Sequence, residues 1–319
     1  MKNMKKISFV IPCYGSEKTI EKVIDEIIEV VGQRKSYNYE IVCVNDHSKD
    51  HVLDVLRKIA SKNKNVKVID FAKNMNRPSA VMAGLKYSDG DYRIILDDDG
   101  QCPMQNLWRL IEPLEKGSDV SMAKYPERKQ GLFKNFGTAM NKAMTRFFLE
   151  RPKDLEFTNF MALKSFIAEE IIKYDNPYPY LTGLLLRSTQ NFANVEMEER
   201  ERMSGSTTFS FKKMLDLWLN GVTAFSIKPL RISTFVGVIC AIVGFIYGLV
   251  LIIEKLIGMD ITVGYSSIVA ILLFIGGVIM IMLGIIGEYI GRIYISINNS
   301  PQYIIKEKIN FDEKRKKDK

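Results

Sequence analysis

Two kinds of hydrophobic pattern divide the chain. Over residues 7–96, short apolar runs alternate with stripes of helical period. Residues 7–11 form a brief apolar run ending at Pro12. Ile20, Val23, Ile24, Ile27, Ile28 and Val31 then recur at the spacing of one helix face. Residues 40–44 and 66–71 predict further strands, residues 52–60 and 79–87 predict helices, and residues 92–96 predict a fourth strand. This βαβα order implies an α/β, Rossmann-like domain with a mostly parallel sheet and helices on both faces. Ligands in such sheets gather at the carboxyl ends of the strands.

The second pattern begins at Ile232. Residues 232–253 carry no charge, and 22 helical residues span roughly 33 Å, enough for a bilayer core of about 30 Å. A second uncharged run covers residues 261–287, and the only charges between the two are Glu254, Lys255 and Asp260. The pattern predicts a transmembrane hairpin over 232–287, with helices at 232–253 and about 263–287. Just before it, Phe211, Met214, Leu215, Trp218, Leu219 and Val222 form an apolar stripe among Lys212, Lys213, Asp216 and Asn220, which predicts an interfacial amphipathic helix over 207–231. The expected division is a catalytic domain at 1–206, this interfacial helix, the hairpin, and a juxtamembrane segment with a basic tail at 288–319.

Charge refines the picture. The 319 residues hold 45 Lys and Arg against 37 Asp and Glu, a net +8. Lys212, Lys213, Lys228 and Arg231 precede the first span and Arg292, Lys306 and Lys308 follow the second, whereas the connection holds only Lys255. The positive-inside bias puts both termini and the catalytic domain in the cytoplasm of a multi-pass protein of the bacterial-type inner or plasma membrane. The basic excess therefore reads as attraction to an anionic leaflet and its lipid, not as a nucleic-acid footprint. Cys13, Cys43, Cys102 and Cys240 are scattered and only His47 and His51 accompany them, so neither a zinc site nor a disulfide framework is expected. The basic start with its five-residue apolar run is a strand, not a signal peptide.

Three polar clusters follow predicted strands: Pro12-Cys13-Tyr14-Gly15, residues 45–50 (NDHSKD) and Asp97-Asp98-Asp99-Gly100-Gln101. Adjacent carboxylates repel, and alternate residues Asp97 and Asp99 can face one way, where hard oxygens suit Mg²⁺ or Mn²⁺ shared with a diphosphate. A triple acid is also a common solvated turn, and Asp46 is equally suited to a turn or helix cap. With no GxGxxG or Walker loop to cradle phosphates, a dinucleotide dehydrogenase or P-loop ATPase is disfavoured.

The segments ISFVIPCYGSEKTI, IVCVNDHSKD, KNMNRPSAVMAGL, GDYRIILDDDGQCP and, beyond the hairpin, LGIIGEYIGRIY with PQYII resemble the family 2 glycosyltransferases that charge polyprenyl phosphates. These include bactoprenol glucosyltransferases, undecaprenyl-phosphate aminoarabinose transferases and, more distantly, dolichol-phosphate mannose synthases. The resemblance covers nearly the whole chain. It implies a GT-A fold that moves a sugar from a nucleotide diphosphate sugar, more readily UDP- than GDP-linked, to undecaprenyl or another polyprenyl phosphate with inversion. It further implies Pro12, Tyr14, Glu17 and Asp46 around the base, Asp97 near ribose and diphosphate, and Asp99 with Asp97 on the metal. Gln101 follows the metal-binding acid, while Arg128, Lys134 and Arg202 face donor diphosphate or acceptor phosphate. Asp97, Asp99, Gln101 and Arg202 form the expected catalytic set.

Three positions depart from the family pattern. Asn45 replaces the first acid of a usual pair, Thr208 replaces a lysine, and Phe157-Thr158-Asn159-Phe160 stands where many relatives have Gly-Asp-Phe-Arg. Loss of that acid is compatible with activity, because an alkyl phosphate acceptor is already ionised at neutral pH and needs alignment more than a general base. The alternatives are a catalytically impaired scaffold that binds nucleotide sugar at the membrane, or a transferase using another lipid acceptor. A processive polysaccharide synthase should show QxxRW and more spans. Small residues Gly276, Gly277 and Gly284 in the hairpin suit a homo-oligomer.

Overall fold

A computed structural model of the chain describes residues 4–126, 146–147, 151–152, 155–198, 200, 228–257, 264–298 and 300–311. It divides into two compact units, Met1–Asp216 with Asn299–Lys319, and Leu217–Asn298.

The first unit opens with the predicted alternation: β1 (Lys5–Cys13), α1 (Ile20–Gly32), β2 (Tyr37–Asn45), α2 (Val52–Lys62), β3 (Val66–Phe71), α3 (Asn76–Tyr87) and β4 (Tyr92–Ile95). A 3-10 turn at Met104–Asn106 leads into α4 (Leu107–Glu115). Then come β5 (Val120–Lys124), β6 (Met161–Lys164), α5 (Ser165–Ile171), α6 (Leu181–Ser188) and β7 (Phe192–Glu196). These strands and a last one, β8 (Ile305–Ile309), build one eight-stranded sheet in the order β7-β5-β6-β4-β1-β2-β3-β8. β4, β1, β2 and β3 run parallel, and β6 and β8 pair antiparallel to their neighbours.

Burial explains the order. Phe9, Ile11, Ile41, Cys43, Val66 and Val68 point into the core with Ile20, Ile24 and Ile27 of α1 and Leu56 of α2. On the other face α3 is buried on nearly every side, which is why its small residues show no clear periodicity. A Cβ on Gly84 would lie 2.2 Å from Val10 Cγ1, so only glycine lets α3 sit this close to β1.

One expectation needs correction. Residues 305–309 form an edge strand of the sheet, with residues 302, 303 and 310 packed on the same domain, rather than a tail. β8 pairs with β3, the Tyr303 ring stacks on Phe71 at 5.4 Å and 4°, and the buried Gln302 donates to the carbonyls of Tyr174 and Asn176. Asn310, at φ +63°, donates to the carbonyls of Ala60 and Val66.

The second unit holds α7 (Lys228–Leu256) and α8 (Tyr265–Ile297). Both are long and apolar enough to cross a membrane, over Lys228–Val250 and Phe274–Ile297, and these stretches are not buried within the protein. The second helix differs from the expected stop at 287. It carries the GEYIGRIY segment as continuous helix, with Arg292 paired to Glu288 one turn back at 2.7 Å. The predicted interfacial helix lies outside the described residues apart from positions 228–231, which begin α7.

Candidate active site

The carboxyl ends of the parallel strands meet in a ring of loops joined by hydrogen bonds. After β1, Tyr14 N–H donates to Asp98 Oδ2 at 2.9 Å and Thr19 Oγ1 donates to the Asp98 carbonyl at 2.6 Å. Gly15 N–H reaches Ser48 Oγ at 2.8 Å, Glu17 N–H reaches Asp50 Oδ2 at 2.9 Å, and His51 N–H returns to Glu17 Oε2 at 3.0 Å. The loop after β1 is thus fixed to those after β2 and β4.

Asp46 ties the loop after β2 to the start of α3. It is 4% exposed, its Oδ1 accepts Met75 N–H at 2.6 Å, and its carbonyl accepts Asn74 Nδ2 at 3.0 Å. Burial pushes its carboxyl up while the amides of Met75 and Asn76 pull it back. Asn76, at φ +69°, and His47, at φ +51°, hold left-handed backbone on either side of this junction. Asparagine and histidine are among the non-glycine residues that adopt it most readily.

The acid cluster follows β4. Asp97 Oδ1 accepts Arg77 Nε at 2.7 Å and Asp97 Oδ2 accepts Asn159 Nδ2 at 2.7 Å. Asp98 points the other way, toward Tyr14, and burial pushes its carboxyl up to about 6. Asp99 Oδ1 accepts Gln101 N–H at 3.1 Å around Gly100, whose φ of +76° allows the sharp turn. Gln101 Nε2 donates to the Arg200 carbonyl at 3.3 Å, and Arg200 N–H returns to the Gln101 carbonyl at 3.2 Å. The Arg200 guanidinium meets Glu26 at 2.7 Å and also contacts Gln105.

The structure therefore brings Tyr14, Glu17, Asp46, Asp97, Asp99 and Gln101 to one edge of the sheet. Tyr14 is 52% exposed there, while Pro12 is buried within β1 and registers with Val44. Glu17 spends its carboxylate on the start of α2. Arg128, Lys134, Arg202 and Thr208 lie outside the described residues. The sequence patterns do not single out Arg77, Asn74 or Arg200. Arg77 sits six residues beyond β3, in the first turn of α3, and nothing in the sequence pattern marks its approach to the acids.

A divalent cation can be weighed against these donors. Among the described residues no three His, Cys, Asp or Glu side chains form a metal-binding group. Both Asp97 oxygens and Asp99 Oδ1 already accept hydrogen bonds from nitrogen donors, and the carboxylates of Asp97 and Asp99 are the hard-oxygen donors that this strand end offers an ion. A cation of the Mg²⁺ type keeps several waters and takes one or two carboxylates plus substrate phosphates, so this donor set fits an ion that arrives with a phosphorylated ligand.

A family model described as Glycosyl transferase family 2 matches residues 8–171, and one described as GtrB C-terminal hairpin matches residues 228–293. The chain is 34% identical to a prophage bactoprenol glucosyl transferase homolog of Escherichia coli K12, over 94% of this chain and 98% of that one. It is 34% identical to the bactoprenol glucosyl transferase of Shigella phage SfII, over 95% and 98%. An uncharacterized glycosyltransferase of Bacillus subtilis, YkcC, is 32% identical over 97% and 95%. Among solved structures, glucosyl-3-phosphoglycerate synthase from Mycobacterium tuberculosis, in complex with Mn²⁺, UDP-glucose and phosphoglyceric acid, superposes with a TM-score of 0.52 at 16% identity. That match covers 69% of this chain and 78% of the synthase, a likeness of fold.

Proposed function

The chain belongs to glycosyl transferase family 2 and is a glycosyltransferase, and from that premise we propose that it moves a sugar from a UDP-linked donor to a polyprenyl phosphate. The observation that carries this reading is the joining of Asp46, Asp97 and Asp99 through hydrogen-bonded strand-end loops in a chain that also has two membrane-length helices. Nucleotide sugars bind at such strand ends, and an acceptor confined to a bilayer calls for an enzyme held at its surface. The relatives named for bactoprenol glucosyl transfer support the choice of acceptor.

In this reading Tyr14 and Asp46 face the base, Asp97 the ribose and diphosphate, and Asp99 holds a divalent cation. The bound cation supplies charge neutralisation of the departing diphosphate. Gln101 braces the Asp99 turn against the segment at Arg200. Arg128, Lys134 and Arg202 supply cationic contacts to the donor diphosphate or the acceptor phosphate. No side chain has to remove a proton from the acceptor, because a phosphate monoester is ionised at pH 7. That accommodates Thr158 at the position of the acid in the Gly-Asp-Phe-Arg pattern, where its hydroxyl donates to the Ala123 carbonyl at 2.8 Å. Attack by the acceptor oxygen on the anomeric carbon, opposite the leaving nucleotide, inverts that carbon.

The hairpin anchors the domain to the bacterial inner membrane with both termini on the cytoplasmic face, as the flanking Lys and Arg direct. The test is transfer of labelled sugar from a panel of donors into organic-extractable, acid-labile lipid by the purified full-length protein. Label should enter lipid from a UDP-sugar in the presence of polyprenyl phosphate. Absence of transfer from every donor, with acceptor and Mg²⁺ or Mn²⁺ supplied, would sink the reading.

A further inference from the structure

Asp97 is held from two sides by residues that no motif assigns. The antiparallel pairing of β4 and β6 sets Ile94 opposite Ala162 and Ile95 opposite Met161. Continuing that register two residues past the ladder sets Asp97 opposite Asn159, and the Asn159 amide indeed donates to Asp97 Oδ2 at 2.7 Å. From the other flank, in the first turn of α3, Arg77 brings Nε and Nη2 each within 2.7 Å of Oδ1. Neither placement is a loop accident. One follows from strand register, which buried β4 neighbours specify strongly, and the other from a helix whose Ser79–Leu85 stretch is wholly buried against the sheet.

We propose that Arg77 and Asn159 are positioning residues that fix the direction and offset the charge of the Asp97 carboxylate, so that donor binding meets it already oriented. The inference rests on the reading of Asp97 as a donor-site residue. Like charges directly opposite on paired strands repel, whereas an amide there is a donor matched to a carboxylate. The amide at 159 presents its N–H to Asp97. Arg77 adds a charge-assisted contact on the other oxygen, and together they leave the carboxylate little rotational freedom.

The experiment uses the full-length protein in detergent and compares Asn159→Ala, Asn159→Asp, Arg77→Ala and Arg77→Lys. It follows donor KM, acceptor KM, kcat and the dissociation constant of UDP. Loss of one charge-assisted hydrogen bond should raise donor KM and the UDP dissociation constant about tenfold in Asn159→Ala, with acceptor KM and melting midpoint unchanged. Asn159→Asp should be several-fold worse than alanine, and Arg77→Lys should recover part of what Arg77→Ala loses. In an Asp97→Asn background, which already lacks the carboxylate, Asn159→Ala should cost at most about twofold more.

Wild-type donor KM in both Asn159 variants would overturn the inference, as would an undiminished alanine effect in the Asp97→Asn background. If Asn159→Asp does not fold, Asn159→Ala and the two Arg77 variants decide the matter by the same measurements. Wild-type protein that transfers sugar while its variants behave normally sinks this inference alone. Wild-type protein that neither binds nor uses any nucleotide sugar sinks the functional reading with it.

Discussion

Asn45 donates its side-chain amide to Asp70 Oδ1 at 2.7 Å, directly across the β2–β3 pairing, and both residues are 3% exposed. The sequence marks Asn45 as a departure from a paired acid. Its neighbour gives the reason: a carboxylate at 45 would face the carboxylate of Asp70 in a site closed to water. Asn45→Asp is expected to force a proton onto the pair at pH 7 and to cost on the order of 3 kcal/mol. A melting midpoint that falls at pH 7.5 and recovers toward wild type in acid would bear this out; an unchanged midpoint at both pH values would not.

Asp98 makes a second pH-dependent prediction. Burial raises its folded value to about 6 from an ordinary 3.8. An acid shifted this way penalises the ionised folded state. The penalty is full above about 6, shrinks as pH falls, and is gone below the unfolded value. With other groups held equal, the protein therefore gains stability from pH 7 toward pH 5, on the order of 1 kcal/mol. Asp98→Asn can still accept the Tyr14 N–H and should remove this dependence. Thermal melts of wild type and variant from pH 5 to 7.5, in chelator, test it through the difference between the two slopes.

Asp99→Asn and chelation should converge. If Asp99 holds a divalent cation, either change lowers transfer at least about a hundredfold, and added Mn²⁺ restores the chelated wild type but not the variant. Variant and wild type should melt alike in chelator, since the side-chain carbonyl oxygen of the substituted amide can still accept the Gln101 N–H. Transfer that proceeds unimpaired in excess chelator would remove the cation from the mechanism.

The C-terminal strand can be tested by Tyr303→Ala, which deletes the ring stacked on Phe71. Loss of an aromatic pair and its partly buried area should cost on the order of 2 kcal/mol. Removal of residues 300–319 should do more, leaving the edge of β3 unpaired and prone to self-association. Size-exclusion chromatography in detergent and protease sensitivity of residues 66–72 provide the measurements. A truncated protein that stays monodisperse and protease-resistant would argue against β8 as an integral strand.

The elements from β1 to β4 are legible in the sequence because their apolar periods are clean; the observed bounds move by no more than three residues, and Pro12, where the apolar run ends, lies one residue inside β1. β6 and β8 are not legible, for different reasons. β6 is four residues long with no alternation to detect. β8 reads Ile-Lys-Glu-Lys-Ile, the charged pattern of a protected edge strand, which in sequence is indistinguishable from a basic tail. At the site, the acids are legible because they follow strands. Arg77 and Asn159 are not, since their common partner Asp97 is 20 residues from one and 62 from the other, and only the folded register unites them.

β8 also bears on how the enzyme is made. Its residues are synthesised after both long helices, yet it pairs with a strand that ends at Phe71. A ribosome has therefore delivered α7 and α8 before the sheet can acquire its eighth strand. The sheet is completed only after the membrane segments have been produced, so an enzyme halted before its anchor exists lacks a finished catalytic domain.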